Sequence, residues 1–199
     1  MEEEGLRENT IVVYASDHGD FVGRHGMVEK CAQGHNVYED TMRVPLIFSQ
    51  PGRIRQGSES DGLVELVDVF PTLLQLAGID HTPGKHGLDG QSLASALLDG
   101  KPVGKPYLVS ENWSQAAVIT DQHKLGIWLD PTAYAKNRDF RAFGDMLFDH
   151  ERDPYELKNE HDNPDYADVV KELEDHYRDF VKRIPDTGKR KLVEKAKQS

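Results

Sequence analysis

Two adjacent residues, Asp17 and His18, carry the clearest chemical signal in this chain. Aspartate offers a hard anionic oxygen and histidine a neutral imidazole nitrogen, and both suit a divalent cation. Neighbouring positions in a turn can converge on one centre. Two ligands alone bind weakly, so a metal site here needs further carboxylates from elsewhere. The plainer alternative is that Asp17 caps a turn and His18 is an ordinary loop residue; a dipeptide by itself does not choose between them.

The elements around the pair favour a site. Thr10 to Ala15 is a continuous β-branched and aromatic run, which reads as a strand buried on both faces, as in a parallel α/β sheet. It stops at Ser16-Asp17-His18-Gly19-Asp20, and ligands of open α/β sheets bind just beyond the carboxyl ends of strands. Residues 21–36 read as a loop with Gly23, Gly26 and Gly34, and Val37 to Met42 as a short helical turn. Val44 to Phe48 reads as a second buried-type strand, with Pro45 marking an edge or a strand start. Residues 63–77 have helical apolar spacing and stop at Gly78, and Ser92 to Leu98 forms a further helix stopped by Asp99-Gly100.

From about residue 105 the pattern changes. Tyr107–Asn112, Gln115–Thr120, Lys124–Leu129 and Met146–Phe148 are short runs between turns, an antiparallel meander. Residues 165–183 place Tyr166, Val169, Val170, Leu173, Tyr177, Phe180 and Val181 on one face of an amphipathic helix expected to pack on that meander. The Lys-rich end, residues 184–199, reads as a flexible tail.

Composition bounds the function. The net charge of the 199 residues is −11 and the pI is near 5.2, so the mean field repels phosphate and argues against nucleic-acid or anionic-membrane binding. An anionic substrate would need positive charge concentrated locally by a metal, lysine or histidine. One cysteine, Cys31, precludes an internal disulfide and leaves the compartment unread. Neither a signal peptide nor a run approaching the ~20 apolar residues of a membrane span is visible. Cytoplasmic and, given an export signal elsewhere, periplasmic or secreted locations both stay open.

The stretches TIVVYASDHGDFVGRHG and YEDTMRVPLIFSQPG resemble the sulfatase family of the alkaline-phosphatase superfamily. The resemblance continues in order through Leu66-Val67-Asp68-Val69-Phe70-Pro71-Thr72-Leu73-Leu74, Ala77-Gly78-Ile79, Asp89-Gly90-Gln91-Ser92-Leu93, Leu147-Phe148-Asp149 and Asp153-Pro154-Tyr155-Glu156-Leu157-Lys158-Asn159. It covers about residues 5 to 183; each motif is moderately specific and their order strongly so.

The resemblance implies that Asp17 and His18 complete the site of a Ca²⁺ ion, or of Mg²⁺ or Mn²⁺. It also implies a lysine, often with a histidine, that contacts the sulfate or the leaving-group oxygen. Lys30 and His35 are the candidates. Lys30 lies a few residues too far upstream of Tyr38 for the family's usual spacing, and His35 lies closer to it. Each can donate to a sulfate oxygen or protonate a leaving alkoxide; Lys30 reads equally well as a solvated loop lysine. His25 is open between facing a pocket and stabilising its turn. Arg43 is expected to pair with Glu39 or another nearby acid, and His81, His86 and His123 read as surface residues. Asn112, Trp113 and Trp128 are candidates to line a substrate cleft, with core packing the plainer reading of Trp128.

The family's nucleophile is a formylglycine made in a Cys-x-(Pro/Ala)-x-Arg motif. Cys31, in Lys30-Cys31-Ala32-Gln33-Gly34, has no arginine at that spacing. Together with the lack of an early Asp-Asp metal pair, this sets the expectation of the C-terminal part of a catalytic domain, its exposed sheet covered by a missing N-terminal part or by oligomer contacts. The expected architecture is α/β. Residues 1–104 supply part of a mixed or parallel alkaline-phosphatase-like sheet flanked by helices, and residues 105–183 a small antiparallel sheet with one long helix. The expected function is hydrolysis of a small-molecule or carbohydrate sulfate ester. A phosphoester or phosphonate hydrolase of the same superfamily, or an inactive metal-binding or interaction remnant, are the alternatives.

Overall fold

A computed structural model describes residues 1–30, 37–79, 89–111, 115–129 and 144–184. The chain divides into two compact units, one of residues 1–17 with 44–105, the other of residues 18–43 with 106–199.

In the first unit, β1 (Val12–Ala15) and β2 (Leu46–Ser49) form an antiparallel pair with Val12 opposite Ser49 and Ala15 opposite Leu46. Both strands fall where the β-branched runs placed them, but they are not buried on both faces. One face packs, through Ile11 and Phe48, on a core of Ile54, Leu76 and Ala94. The other leaves Val12, Tyr14 and Ile47 exposed, Tyr14 at 62 %. Period-2 side-chain alternation gives each strand two faces, and the described helices of this unit cover one of them. Those helices are α2 (Val69–Leu76) and α3 (Ala94–Asp99), each ending close to the expected glycine.

The turn before α2 is held by Asp68, which is fully buried. Its carboxylate accepts from the Glu65 amide (2.9 Å) and the Gln91 amide (2.7 Å), and Lys105 Nζ lies 2.9 Å away. Thr72 Oγ1 donates to the Asp68 carbonyl and accepts from the Leu93 amide, which ties the Asp-Gly-Gln-Ser-Leu turn to α2.

The second unit holds a meander of β3 (Leu108–Glu111), β4 (Gln115–Ile119), β5 (His123–Trp128) and β6 (Met146–Asp149), antiparallel throughout and in sequence order. Helix α4 (Ala167–Arg183) covers one face. Val109, Val118, Leu125, Leu147, Tyr166 and Leu173 make the buried core there, with Val169, Val170, Tyr177 and Phe180 packed on it. This is the arrangement expected from the helix's apolar stripe.

Val37, Tyr38 and Met42 pack on the opposite face against Ala117, Met146 and Phe148. Gly126 makes room for them: a Cβ there would lie 2.9 Å from Val37 Cγ2. Residues 18–43 pack with residues 106–199 in one compact unit. Within them, α1 (Glu39–Met42) is the short helical turn expected at Val37–Met42. No helix among the described residues is long and apolar enough to cross a membrane.

Candidate functional site

The loop between His18 and Lys30 folds back on itself. The Phe21 amide donates to the Glu29 carbonyl (2.9 Å) and the Gly23 amide to the Met27 carbonyl (2.9 Å). Val22, His25 and Glu29 all adopt left-handed backbone (φ 48°, 54° and 56°), at a cost of order 1–3 kcal/mol each. Packing compensates. Phe21 is fully buried, the His25 ring lies 4.2 Å from the Tyr38 ring and 6.0 Å from that of Phe21, and the Asp20 carboxylate accepts from the Val22 amide at 2.7 Å. His25 Nε2 stands 3.4 Å from Asp40 Oδ2, an ion-pair distance without hydrogen-bond alignment. His25 thus fixes its turn, the second of its two sequence readings.

The closed loop brings Lys30 back to His18. Lys30 Nζ lies 3.0 Å from His18 Nε2, and His18 Nδ1 lies 2.8 Å from the Gly19 carbonyl oxygen. A carbonyl only accepts, so Nδ1 carries the proton and Nε2 keeps its lone pair, which accepts from the lysine ammonium. Asp17 is exposed at the end of the first unit, two residues beyond β1. His35 and Cys31 lie outside the described residues, as do Asn112, Trp113, His81 and His86.

Gly19 fastens this turn to α1. Its amide donates to the Thr41 carbonyl at 2.9 Å, and a Cβ at position 19 would lie 2.0 Å from the Asp40 carbonyl oxygen. Helix α1 is itself anchored by a buried ionic cluster that the sequence reading did not find. Lys124 on β5 is fully buried, with Nζ 2.6 Å from Glu156 Oε1 and 2.7 Å from Glu39 Oε1. His150 Nε2 also meets Glu156 Oε1 at 2.9 Å, and Glu156 Oε2 accepts from the Glu39 amide at 2.7 Å. Burial pushes the Glu156 carboxyl up, but the bonds from His150, Lys124 and the Glu39 amide outweigh it and hold the pKa below the usual glutamate range.

Glu39, His150 and Glu156 could together hold a metal ion, but the cation among them is the Lys124 ammonium. Glu39 pairs here with Lys124. The signal in the sequence was a lysine inside an otherwise apolar strand, His-Lys-Leu-Gly-Ile-Trp. His123 is not a free surface residue either: its ring meets Tyr166 edge-on at 6.0 Å, and Nε2 lies 3.9 Å from Asp149. Trp128 is half-buried, its amide donating to Asp145 Oδ1 at 2.8 Å.

The family model for sulfatases matches residues 1–79. A Δ4,5-hexuronate-2-O-sulfatase of Bacteroides thetaiotaomicron is 33 % identical over 181 residues, an alignment covering 89 % of this chain and 36 % of the relative. The chain belongs to the sulfatase family. A multifunctional alkaline phosphatase superfamily protein, PehA of Trinickia caryophylli, is 30 % identical over 86 % of this sulfatase-family chain and 34 % of its own length. Among solved structures, one in complex with its substrate D-glucosamine-2-N,6-O-disulfate superposes with a TM-score of 0.74 at 27 % identity, over 96 % of this chain and 37 % of that one. A phosphonate monoester hydrolase of Agrobacterium radiobacter, at 21 % identity and a TM-score of 0.70 over 94 % of this chain and 38 % of its own, shares the fold. The sulfatase-family chain thus spans about a third of the length of the curated relatives it matches.

The chemistry of the Asp17 carboxylate and the His18 imidazole suits a divalent ion. His18 is held as the tautomer whose Nε2 lone pair can face a ligand, and Asp17 supplies an exposed carboxylate. Lys30 stands on that same lone pair.

Proposed function

We propose that this chain contributes metal-ligating and leaving-group residues to a sulfuric ester hydrolase acting on a carbohydrate sulfate ester. The contact of Lys30 with the oriented His18 imidazole, directly after β1, carries the reading. It concentrates a cation and a ligand nitrogen in a chain whose net charge of −11 would otherwise repel an anionic ester. The substrate class is supported by similarity to a structure bound to a sulfated glucosamine and to a hexuronate sulfatase.

In this reading Asp17 and His18 hold a divalent cation, Ca²⁺ or else Mg²⁺ or Mn²⁺. Such an ion, when bound, polarises the ester and neutralises charge growing on its oxygens. The Gly19 carbonyl keeps the His18 tautomer in which Nε2 bears the lone pair. Lys30 directs its ammonium at a sulfate oxygen and can pass a proton to the departing alkoxide; His35 is the other candidate for that proton. The nucleophile, a formylglycine in the family, would come from a motif that these 199 residues do not contain.

A second reading, a phosphoester or phosphonate hydrolase, is favoured by the 30 % identity to PehA. The test assays the protein isolated from its native source, as wild type and with His18→Ala or Lys30→Ala, on an aryl sulfate, a sulfated glucosamine and a phosphonate monoester. We expect sulfate-ester turnover lost in His18→Ala and lowered about 10²–10⁴-fold in Lys30→Ala. Faster phosphonate turnover would support the second reading. Tight Ca²⁺, Mg²⁺ or Mn²⁺ binding by the 199-residue chain in calorimetry, with no ester turned over, would replace both with a metal-binding role.

A further inference from the structure

Glu156, His150 and Lys124 lie far from His18 in sequence, yet one unbroken set of short contacts runs from them to it. Lys124 Nζ bridges Glu156 Oε1 and Glu39 Oε1 at 2.6 and 2.7 Å, with His150 Nε2 also on Glu156 at 2.9 Å. Glu156 Oε2 then takes the Glu39 amide at 2.7 Å, so one carboxylate holds both the first backbone donor of α1 and the lysine beneath it. At the other end of that helical turn the Thr41 carbonyl receives the Gly19 amide at 2.9 Å, and the next residue upstream is His18. A helix of four residues cannot hold itself together in water; its geometry is imposed by what anchors it. Glu156 also stands in left-handed backbone, φ 55°, in the turn that aims its carboxylate at α1.

We propose that Glu156, with Lys124, is a positioning residue: through α1 it fixes the Gly19 amide and thereby the orientation of the His18 ring. Lys124 of the clamp sits in the meander, where β4 and β6 are nearly all buried and the middle of β5 is buried. The loop it steadies carries three left-handed non-glycine residues and would not hold its form unsupported. The importance of His18 rests on the proposed sulfatase reading; the mechanical link from Glu156 to Gly19 does not.

The experiment is amide hydrogen exchange by NMR on the full 199-residue chain, with ¹⁵N-histidine spectra reporting the His18 tautomer. Glu156→Gln keeps the side-chain shape and removes the charge. Expected is a rise of about tenfold or more in exchange at Gly19, and mixing of the Nδ1–H and Nε2–H tautomers of His18. The rise at Gly19 should exceed any change at the core Val118 and Leu125 amides of the meander, whose exchange follows the global stability of the variant. Should Glu156→Gln fail to fold, Glu39→Gln takes its place. It leaves the backbone bond of Glu39 to Glu156 in place and removes one lysine contact, so a smaller rise confined to Gly19 is expected. Unchanged Gly19 exchange in a folded variant would overturn the proposal. So would a rise at Gly19 no larger than that across the meander, which would mark a merely global effect. No metal and no turnover enter these readouts, so a failed sulfatase assay leaves them standing.

Discussion

At the scale of single residues, a fully buried lysine and a buried glutamate are the least expected features of the second unit. Charges are buried only when paired and hydrogen-bonded, because desolvation of either alone costs several kcal/mol. Lys124 meets two carboxylates and Glu156 meets three donors, so neither is left unpaired. The consequence is a pH dependence with a defined sign. The Glu156 carboxyl is held below its ordinary range, so its stabilising contribution is complete above the unfolded pKa and is lost as pH falls through the folded one. Thermal unfolding followed by circular dichroism should therefore show stability declining from about pH 4.5 downward. Glu156→Gln should be less stable at neutral pH and show a flatter acid limb. Some slope will persist, because Asp149 is likewise depressed: burial raises it, but the Tyr166 hydroxyl and the Arg152 amide outweigh that. An acid limb identical in wild type and variant would show that Glu156 does not govern it.

At the scale of elements, α4 was legible because its apolar residues recur at helical spacing, and the helix runs from Ala167 to Arg183 as that spacing requires. Leu173 is the residue of α4 itself that belongs to the buried core, only 1 % exposed and clustered with strand residues such as Val118 and Leu125. Leu173→Ala should cost about 2–5 kcal/mol in chemical denaturation. A change near zero would mean that the helix is held by its polar contacts, such as the Tyr177 hydroxyl on Glu111 at 2.8 Å, rather than by its stripe. The strands β1 and β2 were equally legible in place, but not in environment. Their residues are those of a sheet with both faces covered, yet Val12, Tyr14 and Ile47 face outwards.

At the scale of the whole molecule, that outward face is the feature with a solution consequence. Tyr14 and Ile47 lie opposite one another across the β1–β2 pair and are 62 % and 55 % exposed. Large exposed apolar surface on a sheet face drives association. The 199-residue chain should self-associate with rising concentration in sedimentation, and Ile47→Lys should shift it towards the monomer. A wild type that stays monomeric at high concentration would refute this.

The order of motifs from the Ser-Asp-His-Gly turn to the Asp-Pro-Tyr-Glu segment was sufficient, read as sequence, to place the chain in its family. Runs of period 2 and 3.6 were sufficient to locate most strands and helices, because alternation and helical spacing are local properties of the backbone. The return of Lys30 to the His18 lone pair was not legible. It depends on a loop that reverses through left-handed residues, one of them the β-branched Val22, which local preferences disfavour. Nor was the packing of residues 18–43 with the C-terminal meander, or the joining of Glu39 to Lys124 and Glu156. Those are contacts between residues as many as 117 positions apart. Only three-dimensional closure decides them, because what selects the partner of a buried charge is the charge it meets when water is excluded.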